Sequence, residues 1–108
     1  MLAAEALAEK HGEDLKVLDM EGVSNLMDYC VLATGGSAPH LKALYAEVQR
    51  VLKDEDMRCF RKSGEPESGW LVLDYVDVVV HIFTQSAREY YAIEELWQEA
   101  STVPLQST

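Results

Sequence analysis

The chain is poor in basic residues. Nine Lys and Arg stand against nineteen Asp and Glu in 108 positions, a formal net charge of -10. Phosphate binding draws on clustered Lys and Arg, so this balance argues against free nucleic acid as the main partner. It also disfavours an anionic membrane surface and leaves a basic partner as the natural complement. Cysteine is equally scarce: Cys30 and Cys59 lie far apart, without CxxC spacing, each in an apolar stretch. That pattern reads as two reduced core thiols rather than a disulfide. No apolar run approaches the roughly 18 residues of a membrane span. Met1-Leu2-Ala3-Ala4-Glu5 has neither the basic start of a signal peptide nor the Arg-rich character of a transit peptide. A soluble, intracellular protein is the expectation.

What is present suits a single domain, with 48% hydrophobic and 26% charged residues and no internal repeat. Leu2, Ala3, Ala6 and Leu7 recur at helical spacing, predicting a first helix that ends near Gly12. Leu15 to Met20 reads as a strand, as does the almost wholly apolar Tyr29 to Thr34. Gly35-Gly36-Ser37 then opens a second helix, with Ser37 as N-cap, Pro39 in the first turn and a stripe of Leu41, Leu44, Tyr45, Val48 and Leu52. Met57 to Lys62 is expected to be a strand and 63–69 a polar loop. Strands follow at Trp70 to Asp74 and Val78 to Phe83. Ser86-Ala87-Arg88-Glu89 matches a capping box for a last helix carrying Ile93, Leu96, Trp97 and Ala100. Residues 1–100 thus form one domain and 101–108 a frayed tail. The order is α-β-β-α-β-β-β-α, an α/β (α+β) fold with a mixed sheet of about five strands flanked by helices. Tyr29 to Lys62 is expected to be a right-handed parallel crossover.

Chemical motifs are weak. Gly35-Gly36-Ser37 sits where free amides could hold a phosphate. Yet Ser37-Ala38-Pro39-His40 replaces the lysine and hydroxyl of a P-loop, and the dinucleotide form's third glycine is missing. A plain helix start is the favoured reading, with a small nucleotide-binding enzyme as the alternative. Asp74 and Asp77 lack a third nearby metal ligand, so a turn-capping or partner-facing role is favoured for them. His11, His40 and His81 fall in no metal-ligand pattern; His81 reads as a hydrogen-bonded histidine on the less buried face of its strand. Trp70, Tyr75, Tyr90, Tyr91 and Trp97 lie in the C-terminal third with Asp74, Asp77, Glu94 and Glu95. Trp and Tyr are favoured interface anchors, and charge sets orientation and encounter rate. From Asp54 onward acidic residues outnumber basic ones by seven, so the acidity accompanies these aromatics.

Trp70-Leu71-Val72-Leu73-Asp74-Tyr75-Val76-Asp77-Val78-Val79-Val80-His81-Ile82-Phe83 resembles the Iojap family of ribosomal silencing factors. The resemblance continues through Arg88-Glu89-Tyr90-Tyr91, Glu94-Glu95-Leu96-Trp97, Asp28 to Gly35 and Leu18 to Ser24, in the family's order. It implies a nucleotidyltransferase-like fold without the catalytic site, because the matching stretch Glu47-Val48-Gln49 lacks a second carboxylate. It implies no enzymatic activity, no cofactor and no metal. The expected partner is large-subunit ribosomal protein fourteen, met on the face that joins the small subunit, so that joining is blocked and translation repressed. A role in large-subunit biogenesis and a homodimer when free are further implications, with no sequence-specific nucleic acid and no membrane. The expected location is the bacterial cytoplasm, organellar only if a transit peptide has been removed. The family's partner-facing motif falls on Trp70, Asp74, Tyr75, Asp77 and Tyr91, with Glu94 beside it. Two departures stand out: Val76 where many members have glycine, and Ala38-Pro39 where a polar pair is usual.

Overall fold

The computed structural model describes residues 1–103. Helix α1 (Leu2–Glu9) leads into β1 (Glu13–Asp19) and β2 (Tyr29–Thr34); α2 (Ala38–Asp54) and β3 (Arg61–Glu65) follow. Then come β4 (Trp70–Asp74), β5 (Val78–Phe83), α3 (Gln85–Tyr91), a 3-10 turn at Ile93–Trp97 and β6 (Ser101–Thr102). The sheet runs β3-β4-β5-β2-β1-β6, with β2 and β5 parallel and every other pairing antiparallel. Among the described residues no helix is long and apolar enough to cross a membrane.

Strand alternation sends the sheet's two faces into separate cores. Against α1 and α2 lie Val17, Val31, Ala33, Leu71, Leu73, Val80 and Ile82, packed with Leu7, Leu41, Leu44 and Val48. The opposite face gathers Leu18, Met20, Cys30, Leu32 and Phe83, covered by Ala87, Ile93 and Trp97.

The mixed sheet and its helices match the expected class, and among the described residues the strands number six. The sixth is the two-residue β6, whose Ser101 and Thr102 pair with Asp19 and Leu18 in the segment read as tail; residues 104–108 lie outside the described residues. The strand expected at Met57 to Lys62 begins only at Arg61. Asp56 turns left-handed at φ 60°, Met57 N–H returns to the Leu52 carbonyl, and the chain needs the next residues to reach the sheet. Every residue of β3 is exposed, so no alternation marks it. Nor does β3 neighbour β2: the crossover passes over β4 and β5. The apolar Val78–Phe83 run takes the interior place, and the polar Arg-Lys-Ser-Gly-Glu strand goes to the edge. Gly64 allows that close pairing, since at φ +86° a Cβ there would lie 2.0 Å from the Trp70 carbonyl oxygen.

Ser37 caps α2 as expected, its hydroxyl accepting from His40 N–H at 3.2 Å. The last helix differs. Thr84 rather than Ser86 is the cap, accepting from Ala87 N–H at 3.2 Å. Ala92 then ends α3 in a left-handed conformation, φ 46°, which turns Ile93 into the second core. Cys30 is buried, whereas Cys59 is only half-buried; both are free thiols.

Candidate functional site

Trp70 opens β4 opposite Phe83 of β5, and alternation puts Trp70, Val72 and Asp74 on the face of the second core. Its indole N–H donates to His81 Nδ1 at 3.1 Å. Burial pushes His81 down to about 4, so the neutral ring keeps the lone pair that accepts this bond. The Tyr91 ring rests on Trp70 with centroids 4.4 Å apart, and Tyr90 meets Tyr91 edge-on at 5.1 Å. Tyr91 is 46% exposed and Tyr90 82% exposed. Both adjacent tyrosines therefore face outward, with Tyr91 resting on Trp70, which itself packs against Phe83 and His81.

At the far end of β4 the chain reverses through Tyr75-Val76-Asp77. Val76 adopts φ 73°, and Asp77 N–H bonds back to the Tyr75 carbonyl at 2.9 Å, a tight three-residue turn. Asp74 Oδ1 steadies it by accepting from Val76 N–H at 2.7 Å. The β-branched Val76 thus takes the conformation that favours glycine, at a cost of about 1–3 kcal/mol. The Asp77 side chain is exposed at the tip. Asp74 acts as the turn cap, and among the described residues no three His, Cys, Asp or Glu converge to hold a metal.

Two of the expected docking residues are engaged inside the fold. Tyr75 belongs to the helix-covered core, where burial pushes its phenol up to about 12. Glu94 accepts from Arg88 Nε at 2.7 Å and from Lys16 Nζ at 2.8 Å. The Arg88 hydrogen bond, aided by Lys16, holds this carboxyl below its usual range. Arg88 is itself buried, and its Nη1 donates to Thr34 Oγ1 and to the Asp14 carbonyl, both at 2.8 Å. That carbonyl is presented by a bulge in β1 where Asp14 sits at φ 46°. In the sequence Arg88 is only an interior position of the Ser86-to-Glu89 match; its signal was being the sole Lys or Arg after Lys62.

The glycine turn is also committed internally. Gly35 N–H donates to the Phe83 carbonyl at 2.8 Å and Gly36 N–H to His40 Nδ1 at 2.9 Å. His40 Nε2 faces the Lys10 carbonyl at 2.8 Å, tying the start of α2 to the end of α1. Two amides that a phosphate would need are already used. Glu47, in the stretch compared with a nucleotidyltransferase metal pair, holds Arg50 at 2.7 Å.

Over residues 1–108 the chain matches the family described as "Ribosomal silencing factor during starvation". It is 35% identical to the ribosomal silencing factor of Bacillus subtilis, over 96% of this chain and 88% of that one. With the ribosomal silencing factor of Halalkalibacterium halodurans the identity is 33%, over 97% and 90%. A crystal structure of a Chromobacterium violaceum protein superposes with a TM-score of 0.86 at 34% identity, covering 99% of this chain and 88% of that one.

Proposed function

The chain belongs to the ribosomal silencing factor family, and from that premise we propose that it docks on large-subunit ribosomal protein fourteen and blocks small-subunit joining. Translation falls as a result, which suits a cell short of nutrients. The observation that carries the reading is the exposed Tyr91 stacked on the half-buried Trp70, centroids 4.4 Å apart, on the same sheet face as Asp74, with the exposed Asp77 turn at the other end of β4. Exposed aromatics on a rigid base lose little entropy on binding, and an acidic rim complements a basic ribosomal protein. Trp70, Asp74, Asp77 and Tyr91 form the docking set, with Tyr90 added. Tyr75 and Glu94 support it from within. The same contact gives the protein access to maturing large subunits, and the exposed tyrosines offer a surface for self-association when it is free.

Pull-down with the isolated ribosomal protein and a subunit-joining assay test this directly. Trp70→Ala and Asp77→Lys should each weaken binding by about 1–3 kcal/mol and relieve the block on joining. Wild-type affinity in both variants would show the surface to be wrongly placed. The nucleotide-using alternative predicts a magnesium-dependent rise in Tm with nucleotide, and the engaged Gly35 and Gly36 amides speak against it.

A further inference from the structure

The nine basic residues divide sharply by environment. Lys16, Arg50 and Arg88 are spent in internal ion pairs. The other six have no ion pair among the described residues, and four of them (Lys53, Arg58, Arg61 and Lys62) fall within ten positions. Folding concentrates them further. Lys53 from the last turn of α2, Arg58 from the connection and Lys62 from β3 line one open cleft of about 520 Å³, with Cys59 and Tyr75 in its wall. Asp56 is the one carboxylate there, so three cations face one anion. Phe60, between Arg58 and Lys62 in the chain but outside that lining, is 66% exposed, with the Arg61 guanidinium 5.6 Å from its ring centre.

We infer that this cleft and Phe60 form a second contact, specific for RNA phosphate and an unstacked base on the large subunit. The inference rests on the proposed docking and adds a ribosomal RNA contact to the protein one. A cationic groove beside an exposed aromatic is how proteins hold single-stranded nucleic acid: cations follow the backbone while a base stacks on the ring. The whole-chain charge does not oppose this at close range. Exposed charges are screened beyond about 8 Å at physiological ionic strength, so RNA at the cleft meets the local excess of cations. Charged residues on an edge strand also deter strand addition, which would account for Arg61 and Lys62 alone. Lys53 and Arg58 lie off that edge and line the same cleft.

The test uses the full chain carrying Lys53→Gln, Arg58→Gln and Lys62→Gln together. Lys10→Gln/Lys42→Gln, which removes unpaired cations elsewhere, serves as control. Binding is measured against intact large ribosomal subunits and against isolated ribosomal protein fourteen, across a salt series, with Tm recorded for each variant. Affinity of the triple variant for the subunit should fall about tenfold or more. The slope of log K against log salt should become shallower by about two, as expected for three lost phosphate contacts. Affinity for the isolated protein should not change, and the control should behave as wild type on both. Phe60→Ser should cost about fivefold or more on the subunit alone. An unaltered slope in a triple variant of normal Tm overturns the inference, as does an equal loss on the isolated protein, which would make the cleft a protein-docking surface. Should the triple variant melt early, Arg58→Gln alone must lower the slope by about 0.7, or the inference falls. Wild type that misses the isolated protein but binds the subunit in a cleft-dependent way sinks the docking reading and leaves the RNA contact standing. Wild type that binds neither sinks both.

Discussion

The two faces of the sheet are built from different materials. Against α1 and α2 the packing is mostly aliphatic: Leu7, Leu41, Leu44, Leu73 and Ile82 are all without exposed surface. The other face is covered by a seven-residue helix and a 3-10 turn, and it buries the polar Arg88 and Thr34 as well as His81, which lies among aromatic rings. Each polar group there has a named partner, and among the described residues no buried side-chain N or O is left unpaired. The helix-sealed face holds the fold together, while the other face shapes a surface. A polar network fixes side-chain positions at little net gain in stability, which suits the presentation of Trp70 and Tyr91.

The contrast can be broken experimentally, beginning with the largest effect. Leu44→Ala should cost about 3–5 kcal/mol in urea denaturation, while the protein that remains folded binds with unaltered affinity. A loss of affinity would mean that the faces are coupled. Next comes acid. His81 has a folded pKa of about 4 against an ordinary 6.5, so between those values the unfolded chain binds more protons and stability rises with pH. The contribution is complete above about pH 6.5 and is lost on acidification toward pH 4, on the order of 3 kcal/mol in all. His81→Gln, compared with wild type by urea melts at pH 7 and 4.5, should lose less stability on acidification. Equal losses would remove His81 from the account. The affinity losses of Trp70→Ala and Asp77→Lys come third, and Asp77→Lys should leave Tm nearly unchanged. The smallest effect sharpens the picture of the turn: Val76→Gly should stabilise the fold by about 1 kcal/mol, relief of strain outweighing the greater entropy of glycine. Destabilisation would mean that the turn relaxes around valine.

Residues whose burial follows a period were legible in the sequence. The stripe of α2, its Ser37 cap and the apolar runs of β2 and β5 all follow from spacing. Local pattern carries no register, so the insertion of β5 and β4 between β2 and β3 was invisible. The edge strand was invisible too, because Arg61–Glu65 has no buried side to alternate with. The acidic and aromatic composition singled out the region of Trp70 and Tyr91 but could not separate its exposed side chains from its buried ones. Strand alternation turns Tyr75 to the opposite face, and the cation partners of Glu94 lie on other elements, so neither placement shows in the local pattern. The basic cleft was masked by averaging: Asp54, Glu55 and Asp56 precede Arg58, Arg61 and Lys62, and cancel them in a linear count.

The parallel β2–β5 seam carries a kinetic consequence. It joins two antiparallel units, β3-β4-β5 and β2-β1-β6. Within the first unit the hairpins are local, whereas Tyr29 must find Val78, about fifty residues away, and closing so long a loop costs entropy before any contact repays it. Assembly therefore waits on the last third of the chain. Until Val78–Phe83 has left the ribosome during synthesis, the apolar Cys30–Ala33 run has no partner on one edge. A protein proposed to restrain new translation is, in its own making, one that must be translated through Val78–Phe83 before its sheet can close.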